Sequence, residues 1–290
     1  MKRFLWMTVV LLLSMANVAE GHGYIGKAAD SVFVTRALAE ARQQKKGVNM
    51  PLFFARKFIG RPYVAHTLEV GDDRRVVVNT RQLDCTTLVE NVTALTQCVR
   101  QKRYTFGSFL DNLTRMRYHN GQMRGYTSRL HYFTEWIVES AAKGIAVERQ
   151  SPNPPYSALQ AVRVNYMSSH PAAYKALREH PEYVKEIQAL EKSVSGKTFR
   201  YIPKGKIANT RLLREAVHDG DIIAITCKKP GLDIAHLGFA VWRKDGLHLL
   251  NASMIHKKVV DEPMTLYQYL QKHPSHTGIR VLKVNGNLKQ

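Results

Sequence analysis

Cysteine is scarce in this chain of 290 residues. There are three, Cys85, Cys98 and Cys227, and no two of them form a CxxC pair. Three are too few for a disulfide scaffold, and the missing CxxC pair speaks against a zinc ribbon. Acidic residues are also few, 23 against 43 Lys and Arg, which leaves a formal charge of +20. The basic residues are nonetheless scattered in pairs such as Lys45–Lys46, Arg74–Arg75 and Lys257–Lys258. With no long basic tract and no interleaved aromatic platform, a solvated basic surface is expected and no nucleic-acid site. Long apolar runs are missing too. The mostly apolar stretch from Phe4 to Met15 falls short of the roughly twenty residues a membrane-spanning helix needs.

What is present is ordinary for a folded core: 44% hydrophobic and 23% charged residues, which excludes a disordered or collagen-like chain. Lys2 and Arg3 precede the apolar stretch, and small residues follow at Ala16, Ala19 and Gly21. That pattern reads as a secretory signal peptide over residues 1–19, cleaved near one of those three. The expectation is a bacterial-type exported protein, periplasmic or secreted. No stable membrane anchor is expected, because no cysteine lies near the cleavage region to carry a lipid. Residues 20–290 read as a single domain.

Periodicity predicts two helices over 30–60, ending at Gly60-Arg61-Pro62-Tyr63, and a short strand from Arg75 to Asn79. A helix begins at Asp84, with Leu88, Val89, Val92, Leu95 and Val99 at helical spacing. Residues 100–200 read as mainly helical, with segments Phe106–Met116, Ser128–Ala142 and Pro171–Val194, interrupted by the proline-rich linker 151–155. After Gly220 come strands over Asp221–Thr226, Ala235–Trp242, Leu247–Asn251 and Arg280–Val284. Helices first and an antiparallel sheet last make an α+β fold.

Cys85 follows Asp84 at the first position of its helix, where the positive end of the helix dipole is expected to lower the thiol pKa. Alone, such a cysteine is more often a small core residue. His236 lies in Ala235–Trp242, where alternation puts it on one face with Gly238 and Ala240. A four-residue loop, Arg243 to Gly246, sets Asn251 opposite Gly238 and diagonal to His236. Asn251 could then orient the imidazole as in a Cys-His-Asn triad. His248 faces away, and His256 is the substitute if the register differs. His131 with Glu135, and His273 with His276, are metal-ligand pairs without a third ligand, so no metal or cofactor is expected. Cys85 and Cys98, on one helix, would stand roughly 20 Å apart, beyond disulfide reach. A Cys98–Cys227 bridge is geometrically open, although two buried free thiols are favoured.

In this order, Gly60-Arg61-Pro62-Tyr63, Asp84-Cys85-Thr86-Thr87-Leu88-Val89, His236-Leu237-Gly238 and Asn251-Ala252 resemble the NlpC-type papain-like cysteine hydrolases. Within that superfamily the chain resembles the N-acetylmuramoyl-L-alanine amidase-like family. Segments 128–132, 165–170 and 220–224 support this, and the likeness spans roughly residues 50–284. It implies Cys85 as nucleophile, His236 as general base and acid, Asn251 as the orienting residue and Tyr63 beside the sulfur. Many superfamily members carry a histidine at the third position. The resemblance further implies a papain-like core of N-terminal helices on a small antiparallel sheet, with the stretch 100–200 inserted between nucleophile helix and sheet. Arg129, His131 and Tyr132 in that insertion become candidates for substrate contact, against the plainer reading of a helix surface. The implied activity is cleavage of the amide between N-acetylmuramic acid and L-alanine in peptidoglycan fragments (muropeptides). The alternatives are an endopeptidase cutting the γ-D-glutamyl–diamino acid bond, or a non-catalytic basic envelope-binding protein.

Overall fold

The computed structural model describes residues 23–70 and 74–285. The predicted signal peptide and its three cleavage candidates lie outside the described residues. The first half of the chain contributes helices α1 (Ala28–Arg42), α2 (Met50–Arg56), α3 (Cys85–Arg100), α4 (Phe106–Arg117) and α5 (Phe133–Ala142). Two short strands, β1 (Tyr24–Ile25) and β2 (Val76–Val77), pair in parallel beside them. Next come β3 (Ala146–Glu148), β4 (Ala158–Ala161), α6 (Tyr166–Ser169), α7 (Lys175–Glu179), α8 (Tyr183–Val194), β5 (Thr198–Pro203) and α9 (Arg211–Ala216). The chain closes with β6 (Ile222–Cys227), β7 (Ile234–Trp242), β8 (Leu247–Ser253), β9 (Lys258–Asp261), α10 (Leu266–Gln271) and β10 (His276–Val284).

Helices and an antiparallel sheet therefore coexist as expected of an α+β chain. The sheet is larger than the sequence implied: its order is β4-β5-β10-β6-β7-β8-β9, with β3 also pairing β10. Strand alternation divides its side chains between two cores. Leu237, Phe239 and Val241 face α1–α5, whereas Ala240, Leu247 and Leu249 face α9 and α10. At the centre lies α3, buried on nearly every side, so that even its polar residues Thr93, Thr96 and Gln97 are covered. Two of the three have internal partners: the Thr96 hydroxyl donates to the Val92 carbonyl and Gln97 to the Ile145 carbonyl. Each fully buried Leu or Phe here, such as Leu88, Leu95 and Phe239, contributes about 1.5–3 kcal/mol.

Several predicted segments change. Stretch 100–200 is not purely helical, since β3, β4 and β5 join the sheet. The segment Ser128–Ala142 becomes helical only at Phe133. Before that, Leu130 donates its amide to the Arg117 carbonyl and Arg129 bridges Tyr118, so tertiary pairing overrides local propensity. Pro171–Val194 breaks at Pro181, because a residue before proline is pushed out of the helical region; His180 accordingly adopts φ −133°, ψ 75°. The strand predicted at Arg75–Asn79 shrinks to Val76–Val77.

Candidate active site

Asp84 starts α3. Its carboxylate accepts from the Thr87 amide at 2.8 Å, and the Thr87 hydroxyl oxygen accepts in return from the Asp84 amide at 2.9 Å. This capping box leaves the amides of Cys85 and Thr86 without a partner inside the helix. The sulfur of Cys85 receives hydrogen bonds from the Thr86 amide and hydroxyl and from the Leu237 amide. Burial nevertheless dominates. With the Asp84 charge adding to it, burial pushes the thiol up to about 12. The expected lowering by the helix dipole is thus reversed, because loss of water around a thiolate outweighs a half-charge at the helix end.

The Leu237 amide can reach the sulfur because the sheet forks there. β7 and β8 pair from Trp242↔Leu247 to Phe239↔Leu250, after which Asn251–Ser253 pair only with β9 and Ile234–Gly238 only with β6. The four-residue loop gives the expected register, but the pairing stops at Phe239 opposite Leu250, one position short of Gly238 and Asn251. Gly238 is required by this approach: a Cβ there would stand 2.7 Å from the Leu250 carbonyl oxygen and from the Leu249 side chain.

His236 Nε2 and Asn251 Oδ1 are 3.0 Å apart, and the Asn251 amide nitrogen donates to the Leu249 carbonyl at 3.2 Å. The second bond turns Oδ1 toward the ring, so Nε2 carries the hydrogen and Nδ1 keeps its lone pair. Burial lowers the His236 pKa, opposed by the bond to Asn251; the charge of His273 lowers it further. Cysteine and histidine thus both rest uncharged. They line one cavity of about 270 Å³ together with Asp84, Glu90, Arg129, His131, Tyr132 and Asp233. Tyr63 stands close enough to Cys85 and Asp84 for their charges to add to burial in raising its hydroxyl to about 12. It is therefore a neutral donor at physiological pH.

The other candidates are also placed. His256 is not the partner of His236; it pairs with Glu262 at 3.2 Å. His248 faces away as expected, bridging the Glu262 carbonyl and Asp245. The Tyr132 hydroxyl donates to Glu191 at 2.7 Å and accepts from the Met167 amide, so it braces the cavity wall. His131 Nε2–H donates to the Tyr126 carbonyl at 2.9 Å, and burial holds the ring neutral. Arg129 lies over the Tyr126 ring at 4.8 Å. His131 and Glu135 do not share a helix face, because His131 precedes α5; Glu135 pairs instead with His119 at 2.8 Å. Among the described residues, no three His, Cys, Asp or Glu side chains form a group able to hold a metal ion. All three cysteines are free, Cys98 buried and Cys227 half-buried.

Two residues at the site escaped the sequence reading. Tyr269 on α10 lies with its ring centroid 6.3 Å from that of His236, and burial, then the charges of Glu262 and Cys85, raise its hydroxyl to about 12. Glu262, 1% exposed, favours protonation of His236. The only sequence signal for Glu262 is an acid in a strand-exit turn, and Tyr269 reads as a helix-face aromatic.

No curated protein matches the chain. Solved structures do. A Bacteroides uniformis N-acetylmuramoyl-L-alanine amidase shares 40% identity over 83% of this chain and 100% of its own, with a TM-score of 0.75. A Bacteroides fragilis protein titled as a candidate xylanase shares 39% identity over 80% of this chain and 99% of its own, with a TM-score of 0.73. A Legionella pneumophila protein at 22% identity shares the fold, with a TM-score of 0.68 over 88% of this chain and 94% of its own. The profile of the N-acetylmuramoyl-L-alanine amidase-like family matches residues 53–279, which take in the Cys85 helix, the His236 strand and Asn251. The chain belongs to that family.

Proposed function

We propose that the protein is a cysteine-dependent amidase that cleaves the N-acetylmuramoyl-L-alanine bond of muropeptides, with a papain-like, NlpC-type arrangement of Cys85, His236 and Asn251. The observation that carries this reading is the 3.0 Å bond between His236 and Asn251. It leaves Nδ1 as the free basic nitrogen in the cavity that Cys85 also lines. Because both partners rest neutral, the thiol proton passes to His236 Nδ1 as the sulfur attacks the lactyl carbonyl. The oxyanion is met by the Cys85 amide at the start of α3, which has no partner inside the helix, and by the neutral hydroxyl of Tyr63. His236 then protonates the departing alanine amine, and water attacks the thioester to release the muramic acid carboxylate.

The cavity adjoins a second chamber of about 560 Å³, with Glu69 and Tyr126 common to both walls. Its lining includes the cations Arg74, Arg124 and Lys175 beside Glu69 and Glu179, and the three cations would attract stem-peptide carboxylates. Glycoside hydrolysis, which needs a free pair of carboxyl groups, is disfavoured. The four carboxylates that line the cavity are all engaged: Asp84, Glu90 and Asp233 accept from the Thr87 amide, Arg117 and the Thr134 amide, and Glu69 pairs with His66. The leader read at the N-terminus supports action in the periplasm or outside the cell.

Purified muropeptides weighed after digestion test the proposal. Release of an intact stem peptide beginning with L-alanine, lost in Cys85→Ala, is the expected result. A split stem peptide would make the enzyme an endopeptidase. Undiminished amidase activity in Cys85→Ala would remove the mechanism.

A further inference from the structure

Asp233 immediately precedes β7, and residues 232–237 line the catalytic cavity as one run. The strand enters through a bulge: Ile225 pairs with His236 and Thr226 with Ile234, which leaves Ala235 as the extra residue. Bulges of this kind re-aim side chains beside active sites. Asp233 is held at two points. Its Oδ2 accepts from the Thr134 amide at 2.6 Å, capping α5 from outside, where the Tyr132 side chain supplies no cap. Its carbonyl accepts from the Gln160 side chain at 2.6 Å. Arg280 comes near, donating to the Thr134 hydroxyl at 2.8 Å, but its charge is taken by Glu148 through two bonds.

The second oxygen, Oδ1, is left over. Among the described residues no donor reaches it and no cation pairs with the carboxylate, although Asp233 is only 3% exposed. The other three cavity carboxylates are better supplied. Glu90 pairs with Arg117, Glu69 with His66, and Asp84 accepts from both the amide and the hydroxyl of Thr87. Burying a carboxylate is costly unless donors surround it. The donor missing at Asp233 therefore has to come from whatever fills the cavity that Cys85 and His236 share. A muropeptide carries one N–H on each side of its scissile amide: the sugar acetamido group and the peptide bond after L-alanine.

We propose that Asp233 is a substrate-binding residue whose free oxygen accepts one of these N–H groups and so fixes how the scissile amide meets Cys85. The assignment rests on the amidase reading, and the test separates the two. Asp233→Asn keeps an oxygen for the Thr134 amide and puts an NH2 donor where Oδ1 stood. Its melting temperature should match that of the natural chain. KM for N-acetylmuramoyl-L-alanyl-D-isoglutamine should rise about ten- to a hundredfold, the worth of a hydrogen bond to a charged acceptor. Calorimetric titration of the same compound into Cys85→Ala, with and without Asp233→Asn, reads that loss without turnover. Two analogues locate the donor, one with acetoxy in place of acetamido, the other with an ester after L-alanine. The analogue lacking the donor should bind Cys85→Ala weakly, yet bind the doubly substituted protein no worse than the parent compound does. Unchanged KM and affinity in Asp233→Asn, or equal penalties for both analogues in the two proteins, overturn the proposal. Binding that depends on Asp233, in a natural chain that leaves the compound uncleaved, would uphold Asp233 while ending the amidase reading.

Discussion

Replacing Asn251 by alanine removes the acceptor of His236 Nε2 and the donor to the Leu249 carbonyl, and the first loss can be worked through. With the base neutral, the Nε2–H···Oδ1 bond is an ordinary one, about 0.5–1.5 kcal/mol; as the ring becomes imidazolium, the same bond is charge-assisted, about 1.5–3 kcal/mol. Only the difference of about 1–1.5 kcal/mol belongs to the reacting state, which corresponds to a loss of roughly tenfold in kcat/KM. The acid limb should also move to lower pH, since the Asn251 bond favours the protonated ring. Asn251 is buried and His236 half-buried, so the orphaned Nε2–H destabilises the fold at the low end of about 1–3 kcal/mol. Muropeptide cleavage followed by mass spectrometry across the pH range, with thermal unfolding as control, reads both quantities. Asn251→Asp should shift the limb the other way, because a carboxylate stabilises imidazolium. A stability loss with an unchanged rate and limb in Asn251→Ala would refute the orienting role.

Three further outcomes are expected. Cys85, with its thiol pushed up to about 12, should react slowly with iodoacetamide at neutral pH, the rate still rising above about pH 9; a fast plateau below neutrality would mean a preformed ion pair. Gly238→Ala should lower both thermal stability and turnover, because its Cβ would stand 2.7 Å from the Leu250 carbonyl oxygen and force β7 away from β8; a protein that melts unchanged would contradict this. His131, His236 and His276 all have native pKa values below the ordinary 6.5, so the unfolded chain binds more protons below that pH and stability falls as pH drops from about 6.5 toward 4. His276 supplies as much as about 3 kcal/mol of this, from its fall to about 4. Denaturant titrations of His276→Gln should therefore show a shallower dependence in that window.

The parts of this molecule that were legible in the sequence are those governed by local rules. Asp84 announces the start of α3 because a capping residue acts within three positions. The strands around His236 and Asn251 are legible because alternation and a four-residue loop fix register without reference to anything distant. What was hidden depends on partners far along the chain. β3 and β10 are separated by well over a hundred residues, and the three residues of β3 carry no periodicity of their own. Arg129, His131 and Tyr132 sit beside an apolar helical pattern, yet residues 129 and 130 are drawn out of the helix by pairing with 117 and 118. The thiol pKa shows the same limit in energetic form. The helix dipole can be read from position 85, whereas the burial that overrides it is set by the sheet, the Leu237 amide and the cavity wall. Tyr269 and, behind it, the stacked pair His273 and His276 belong to this second class. A helix-face aromatic becomes a neighbour of the base only because α10 packs over the face of β8 that presents Asn251. Local sequence thus specified which side chains meet at the cavity, while the electrostatics around them arise from contacts that only the closed fold creates.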